Sequence, residues 1–124
     1  MALRPFSNRQ RGHDIESLTA RWLERQGLCT IARNHHIRGG ETDLIMRDGD
    51  TLVFVEVRYR ASTSHGSPLE TITPAKQRKL IRAARFYLLD KRLSCPCRFD
   101  AVGVTGEPPE GLHFEWIKSA FDAF

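Results

Sequence analysis

The chain has 124 residues, 40% hydrophobic and 27% charged, which excludes wholesale disorder, and no apolar run approaches the roughly 20 residues of a membrane-spanning helix. At this length one compact domain over 1–124 buries about two thirds of the surface its unfolded form exposes, so disulfides are not needed. The net charge of +4 is unevenly spread: residues 1–38 carry +4 and 71–98 carry +7, against −3 for 39–70 and −4 for 99–124.

Residues 1–10 read as an N-terminal extension. Met1 to Arg9 has no apolar stretch followed by a small-residue cleavage site, so no secretory signal is expected and a cytoplasmic location is the default. Ile15, Leu18, Thr19, Trp22 and Leu23 recur at the spacing of one helical face, and Gly27 stands where a C-terminal cap belongs. The spacing predicts a first helix from about Gly12 to Gln26. Glu16 lies at the edge of that stripe, aligned with Ala20, placed either to look into the structure or to meet the helix dipole from the surface.

Leu28 to Asn34 and Glu41 to Met46 read as strands, joined through the segment His35 to Gly40. His35 and His36 would face opposite ways on a strand, so they read as surface histidines. Arg47-Asp48-Gly49-Asp50 supplies turn chemistry before a third strand, Thr51 to Arg58. Tyr59 to Glu70 is polar and aperiodic, a mobile loop beside the acidic strands. Thr73-Pro74, a cap followed by proline at the first helical position, opens a second helix to about Asp90. Its predicted buried stripe is Leu80, Ile81, Ala84 and Leu88. Arg98 to Val104 and Leu112 to Ile117 read as two more strands around a Gly106 to Gly111 loop, and the apolar tail Phe121 to Phe124 is expected to pack on the domain. Cys29, Cys95 and Cys97 match no usual zinc spacing and suggest neither metal nor redox work.

The hairpin carries the chemistry. On a strand, residues two apart share a face, so Glu41 and Asp43 point one way, as do Glu56 and Arg58 on the partner. Three carboxylates are therefore expected to converge beside one guanidinium. Carboxylates on strands this apolar cost free energy through desolvation unless a cation or dense hydrogen bonding compensates, and hard oxygen ligands point to Mg²⁺ or Mn²⁺. Phosphodiester hydrolysis needs such an ion and a cation near the developing charge. Asp43 and Glu56 are the expected metal ligands, Glu41 or Glu16 would complete the outer coordination, and Arg58 would neutralise the phosphorus centre. On the second helix Arg78, Arg82 and Arg85 share a face, with Lys76 and Lys79 nearby, a set suited to tracking a phosphate backbone. The bland alternative is ordinary solvated helix faces.

Asp43 with Glu56-Val57-Arg58 resembles the signature of PD-(D/E)XK nucleases, with arginine in the lysine place. A closer resemblance, over most of the chain, is to the YraN-like family of small bacterial proteins, regarded as distant relatives of Holliday-junction resolvases. It rests on Gly12 followed by Glu16, Gln26-Gly27, Ala32-Arg33-Asn34, Gly40-Glu41-Thr42-Asp43-Leu44-Ile45, Phe54-Val55-Glu56-Val57-Arg58, Gly66-Ser67-Pro68, Lys76 and Arg98-Phe99-Asp100. The resemblance implies a restriction-endonuclease-like α/β core, a mixed central sheet of about five strands flanked by helices. It implies Glu16 as a helix-borne acid of the site and Asp43 and Glu56 as metal ligands. It gives Asp100 no chemical role, and a strand-end acid binding backbone or an arginine is the simpler account.

Three functions compete. The first is a Mg²⁺-dependent endonuclease acting on branched or distorted DNA, a homodimer if the junction-resolving function carries over. The second is a nucleic-acid-binding module without catalysis, favoured by Arg58, because arginine stays protonated and cannot serve as a base. The third is a protein-interaction module whose acids only satisfy a core hydrogen-bond network.

Overall fold

A computed structural model describes residues 8–37, 40–62, 64, 66–107 and 111–122. The elements are α1 (Asn8–Arg25), β1 (Cys29–Ile37), β2 (Gly40–Asp48), β3 (Thr51–Arg60), a 3-10 turn (Pro68–Thr71), α2 (Pro74–Asp90), β4 (Cys97–Thr105) and β5 (His113–Phe121). The strands form one sheet in the order β1-β2-β3-β4-β5, with β3 and β4 parallel and the other neighbours antiparallel. The fold is thus the expected mixed α/β core, a five-stranded sheet flanked by helices.

Strand alternation decides which helix each residue meets. Leu44, Met46, Val53, Val55, Val57, Val102 and Val104 pack with Ile15, Ala20 and Leu23 of α1. Ile45, Leu52, Phe54 and Phe99 pack with Leu80, Ala84 and Tyr87 of α2. Each large apolar side chain so buried contributes about 1.5–3 kcal/mol of transfer free energy, so packing holds the helices more than propensity does.

Several boundaries differ from expectation. The first helix begins at Asn8, so residues 8–10 are helical and not an extension, in keeping with good helix formers at Arg9, Gln10 and Arg11. β1 runs on through His35 and His36, which pair with Thr42 and Glu41. Tyr59 and Arg60 belong to β3, because they pair with Val104 and Thr105 of β4, and Pro68–Thr71 is a 3-10 turn, so the loop expected over 59–70 shrinks to 61–67, with 63 and 65 outside the described residues. β5 extends to Phe121, which stacks on Phe99 at 4.9 Å and so packs as the tail was expected to; residues 123 and 124, like 108–110 of the preceding loop, lie outside the described set.

Helix α2 starts and stops where expected, with Thr73 Oγ1 accepting the Lys76 N–H. Its buried stripe, Leu80, Ala83, Ala84 and Tyr87, is rotated from the one anticipated, and Ile81 and Leu88 are only partly buried. The reason lies at Gly40. A Cβ there would sit 3.0 Å from the Lys79 carbonyl oxygen and 3.5 Å from Ala83 Cβ, so two small residues let α2 settle directly on β2. Among the described residues no helix is long and apolar enough to cross a membrane.

Candidate functional site

The β2–β3 ladder runs from the Asp48–Thr51 pair beside the turn to the Leu44–Val55 pair, and there it stops. Beyond that point the Asp43 carboxylate replaces the missing ladder partner, its Oδ2 accepting the Val57 N–H at 2.9 Å. A backbone donor freed by the parting strands is satisfied, and Asp43 is held in place with little exposure. Glu56, also buried, stands beside it on β3, and Glu16 arrives from α1, whose neighbouring Ala20 is fully buried.

Glu16 and Glu56 both stand close enough to Asp43 to share a proton with it. Three carboxyl groups this close do not all ionise in the metal-free protein. Burial, followed by the charge and hydrogen bond of Asp43, raises the Glu16 pKa to about 8. Burial and the same neighbour raise Glu56 to about 9, against the opposing pull of Arg58 and Lys76. Asn34 lies between the Arg33–Leu44 and His35–Thr42 pairs of β1, opposite Asp43, with φ 47°. Asparagine tolerates that left-handed backbone, and its side chain bonds Glu16 in the sense that favours the carboxylate.

Arg58 Nη2 stands 3.5 Å from Glu56 Oε1. Among the described residues, the buried side-chain atoms with no hydrogen-bond partner are Arg58 Nε, Arg58 Nη2 and Glu16 Oε2. Both residues line one cleft of about 640 Å³, together with Asp43 and Glu56. Lys76 and Lys79 reach it from α2, and His36 and Glu41 from the β1–β2 edge.

Glu16, Asp43 and Glu56 stand closest together, and Glu41 of the hairpin set lines the same cleft farther out. Cross-strand pairing carries Glu41 to His36, whose Nδ1 lies 3.1 Å from its Oε2, and both side chains are mostly exposed. His36 is the surface histidine expected, and it also borders the cleft. The five cations of α2 also divide. Lys76 and Lys79 line the cleft, whereas Arg78, Arg82 and Arg85 line a separate groove. Asp100 does not line the cleft. Fully buried, it accepts from Arg98 Nε at 3.0 Å, Trp116 Nε1 at 2.9 Å and the Ser119 N–H at 3.0 Å, the strand-end role anticipated for it.

Two contributors went unseen in the sequence, Asn34 and His36. The signal for Asn34 was its residue type in a strand, and for His36 the antiparallel register that sets it across from Glu41. The acids gathered in the cleft offer carboxylate oxygens, one of them without a partner, and that chemistry fits a hard divalent cation. Among the described residues no group of three or more His, Cys, Asp or Glu side chains is arranged to hold a metal ion.

Residues 15–104 match the model of the Uncharacterised protein family UPF0102, a span that includes every residue of the acid cluster. Among similar relatives, each named only as a UPF0102 protein, that of Chromohalobacter salexigens is 62% identical over 117 residues, covering 94% of both chains. That of Aeromonas hydrophila is 46% identical over 114 residues, 90% of this chain and 84% of the relative. That of Pseudomonas savastanoi pv. phaseolicola is 44% identical over 122 residues, 96% and 99% of the two chains.

Proposed function

The chain belongs to the UPF0102 family, and for this member we propose a divalent-cation-dependent endonuclease that hydrolyses DNA phosphodiesters on branched or distorted DNA. One observation carries the reading. The cleft holds an unsatisfied acceptor, Glu16 Oε2, among proton-sharing acids, and unsatisfied donors, Nε and Nη2 of Arg58. Acceptors of that kind need a cation and donors of that kind need an anion, and a phosphodiester with its counter-ion supplies both.

Asp43 and Glu56 would hold Mg²⁺ or Mn²⁺, with Glu16 bonding to its waters. When bound, the ion would polarise the phosphoryl oxygens and lower the pKa of an attacking water. Arg58 donates from Nε and Nη2 to the phosphoryl oxygens and stabilises charge as it builds. It stays protonated at any working pH and takes no proton. The proton of the water passes to a phosphate oxygen or to Glu41, which borders the cleft and is oriented by His36. Lys76 and Lys79 hold the flanking phosphates.

The test is cleavage of a labelled four-way junction and a matched linear duplex by wild type and Glu56→Ala, with Mg²⁺, with Mn²⁺ and with EDTA. Metal-dependent cutting of the junction, abolished in the variant, is expected. Cutting that survives Glu56→Ala overturns the assignment of the site. Binding without cutting in either metal favours the second reading, a nucleic-acid-recognition module, to which the arginine at position 58 points.

A further inference from the structure

Arg78, Ile81, Arg82, Arg85, Phe86 and Leu89 recur at the three- and four-residue steps of one stripe on α2, and with Asp122 they line a second groove of about 640 Å³. Three guanidinium groups against one carboxylate make it cationic. Its lining nonetheless includes open apolar side chains, with Phe86 52% and Leu89 76% exposed. A surface that only tracks phosphates needs cations and no aromatic ring. A ring flanked by guanidinium groups is what stacks an unpaired base while its phosphates are held.

The groove is also connected to the cleft. Lys76, Lys79, Arg82 and Arg85 succeed one another at three-residue steps along one helical ridge, the first two lining the cleft and the last two the groove. Over those nine steps the helix advances about 13 Å and the ridge winds half-way round it, leading from the cleft to the outer face of α2.

We infer that this groove receives an unpaired segment of the nucleic-acid strand whose scissile phosphate lies in the cleft, with a base stacked on Phe86 and its phosphates on Arg82 and Arg85. The inference rests on the nuclease reading above and narrows its substrate class. A continuous duplex keeps its base faces stacked and has none to offer Phe86, so nucleic acid with unpaired nucleotides beside the cut is preferred.

Fluorescence anisotropy in EDTA tests it with three labelled probes: a short oligothymidylate, a blunt duplex, and that duplex bearing a single-stranded arm. Wild type is expected to bind the armed duplex more tightly than the blunt one. Phe86→Ala, at an exposed position where folding is not at stake, should lose about tenfold on the armed duplex and the single strand and nothing on the blunt duplex, and Phe86→Trp should restore the difference. Arg82→Ala should weaken all three probes and reduce the salt slope by about one. An unchanged preference in Phe86→Ala, or an equal loss on every probe, overturns the stacking role. So does a fall in sedimentation mass with binding intact, which would make the groove a self-association surface. If wild type binds no probe, the nuclease reading falls as well. If it binds, and cuts through Glu56, while Phe86→Ala matches it on every probe, only the groove assignment falls.

Discussion

Asp43 serves the fold and strains it through the same carboxylate. One oxygen accepts the Val57 N–H, while the negative charge crowds Glu16 and Glu56. Asparagine keeps an acceptor oxygen and removes the charge, so metal-free Asp43→Asn is expected to melt about 2–5 °C above wild type and to lose the rise that Mg²⁺ gives wild type. A lower melting point would mean instead that the acid only completes a hydrogen-bond network. The same melts carry a pH signature. Glu16 and Glu56 keep protons in the fold that the unfolded chain releases near 4.5, so the stabilisation is fully present below that pH and is lost as pH rises through about 8 and 9. Without metal, the melting point of wild type should fall between those limits, with a shallower fall in Asp43→Asn. Asp43, Glu56 and Arg58 were legible because a two-residue period on apolar strands singles them out. Glu16 was also anticipated, as a helix-borne acid, but that it rather than Glu41 stands against Asp43 was not legible, since it depends on where the β2–β3 ladder ends and where α1 crosses it.

Between elements, Asp100 ties the end of the sheet together. The β4–β5 register shifts between Phe99 and Ala101, Ser119 takes φ 51°, and the Asp100 carboxylate fills the irregularity by accepting the Ser119 N–H. Arg98, bonded to Asp100, also reaches Asp48 at 2.9 Å, which anchors the β2–β3 turn to the same point. Removing the carboxylate leaves a largely buried guanidinium, an indole N–H and a backbone N–H short of a partner. Asp100→Ala is accordingly expected to cost about 3–5 kcal/mol in urea unfolding, and a loss below about 1 kcal/mol would show the network to be dispensable. Helix α2 could be placed from the sequence because Thr73-Pro74 marks its start. The full reach of β5 could not, because the bulge at Ser119 breaks the alternation that a strand reading depends on. The rotation of the α2 stripe was equally hidden, being set by the contact between Gly40 and Ala83, distant in sequence.

Across the whole molecule the charge layout sets how a polyanion is met. The segment of highest positive charge is largely α2, which presents two lysines to the cleft and three arginines to the groove. Each phosphate neutralised adds about 0.9 to the slope of log affinity against log salt. Replacing Lys76 and Lys79 together by alanine should therefore make the slope shallower by about two for paired and unpaired DNA alike, as anisotropy titrations across salt concentrations will read. Wild-type binding indifferent to ionic strength would remove the electrostatic role from α2 altogether. The alternation of basic and acidic segments was plain in the sequence. The division of one helix into two cationic stripes was not, because only its seat on β2 decides which turn faces which opening.

The β2–β3 hairpin is divided along its length. On the turn side of Leu44–Val55 its buried residues are Ile45, Met46, Leu52, Val53 and Phe54, and on the far side stand Asp43, Glu56 and Arg58. One pair of strands is thus oily at one end and ionic at the other, with a boundary a single residue wide. Substitutions on the turn side meet packed apolar neighbours, whereas those at Asp43, Glu56 and Arg58 meet mainly other charges, beside the buried Val57. The ionic end is thus the stretch of the hairpin whose charge can change without emptying the apolar core, while its Asp43 still holds a backbone donor of β3.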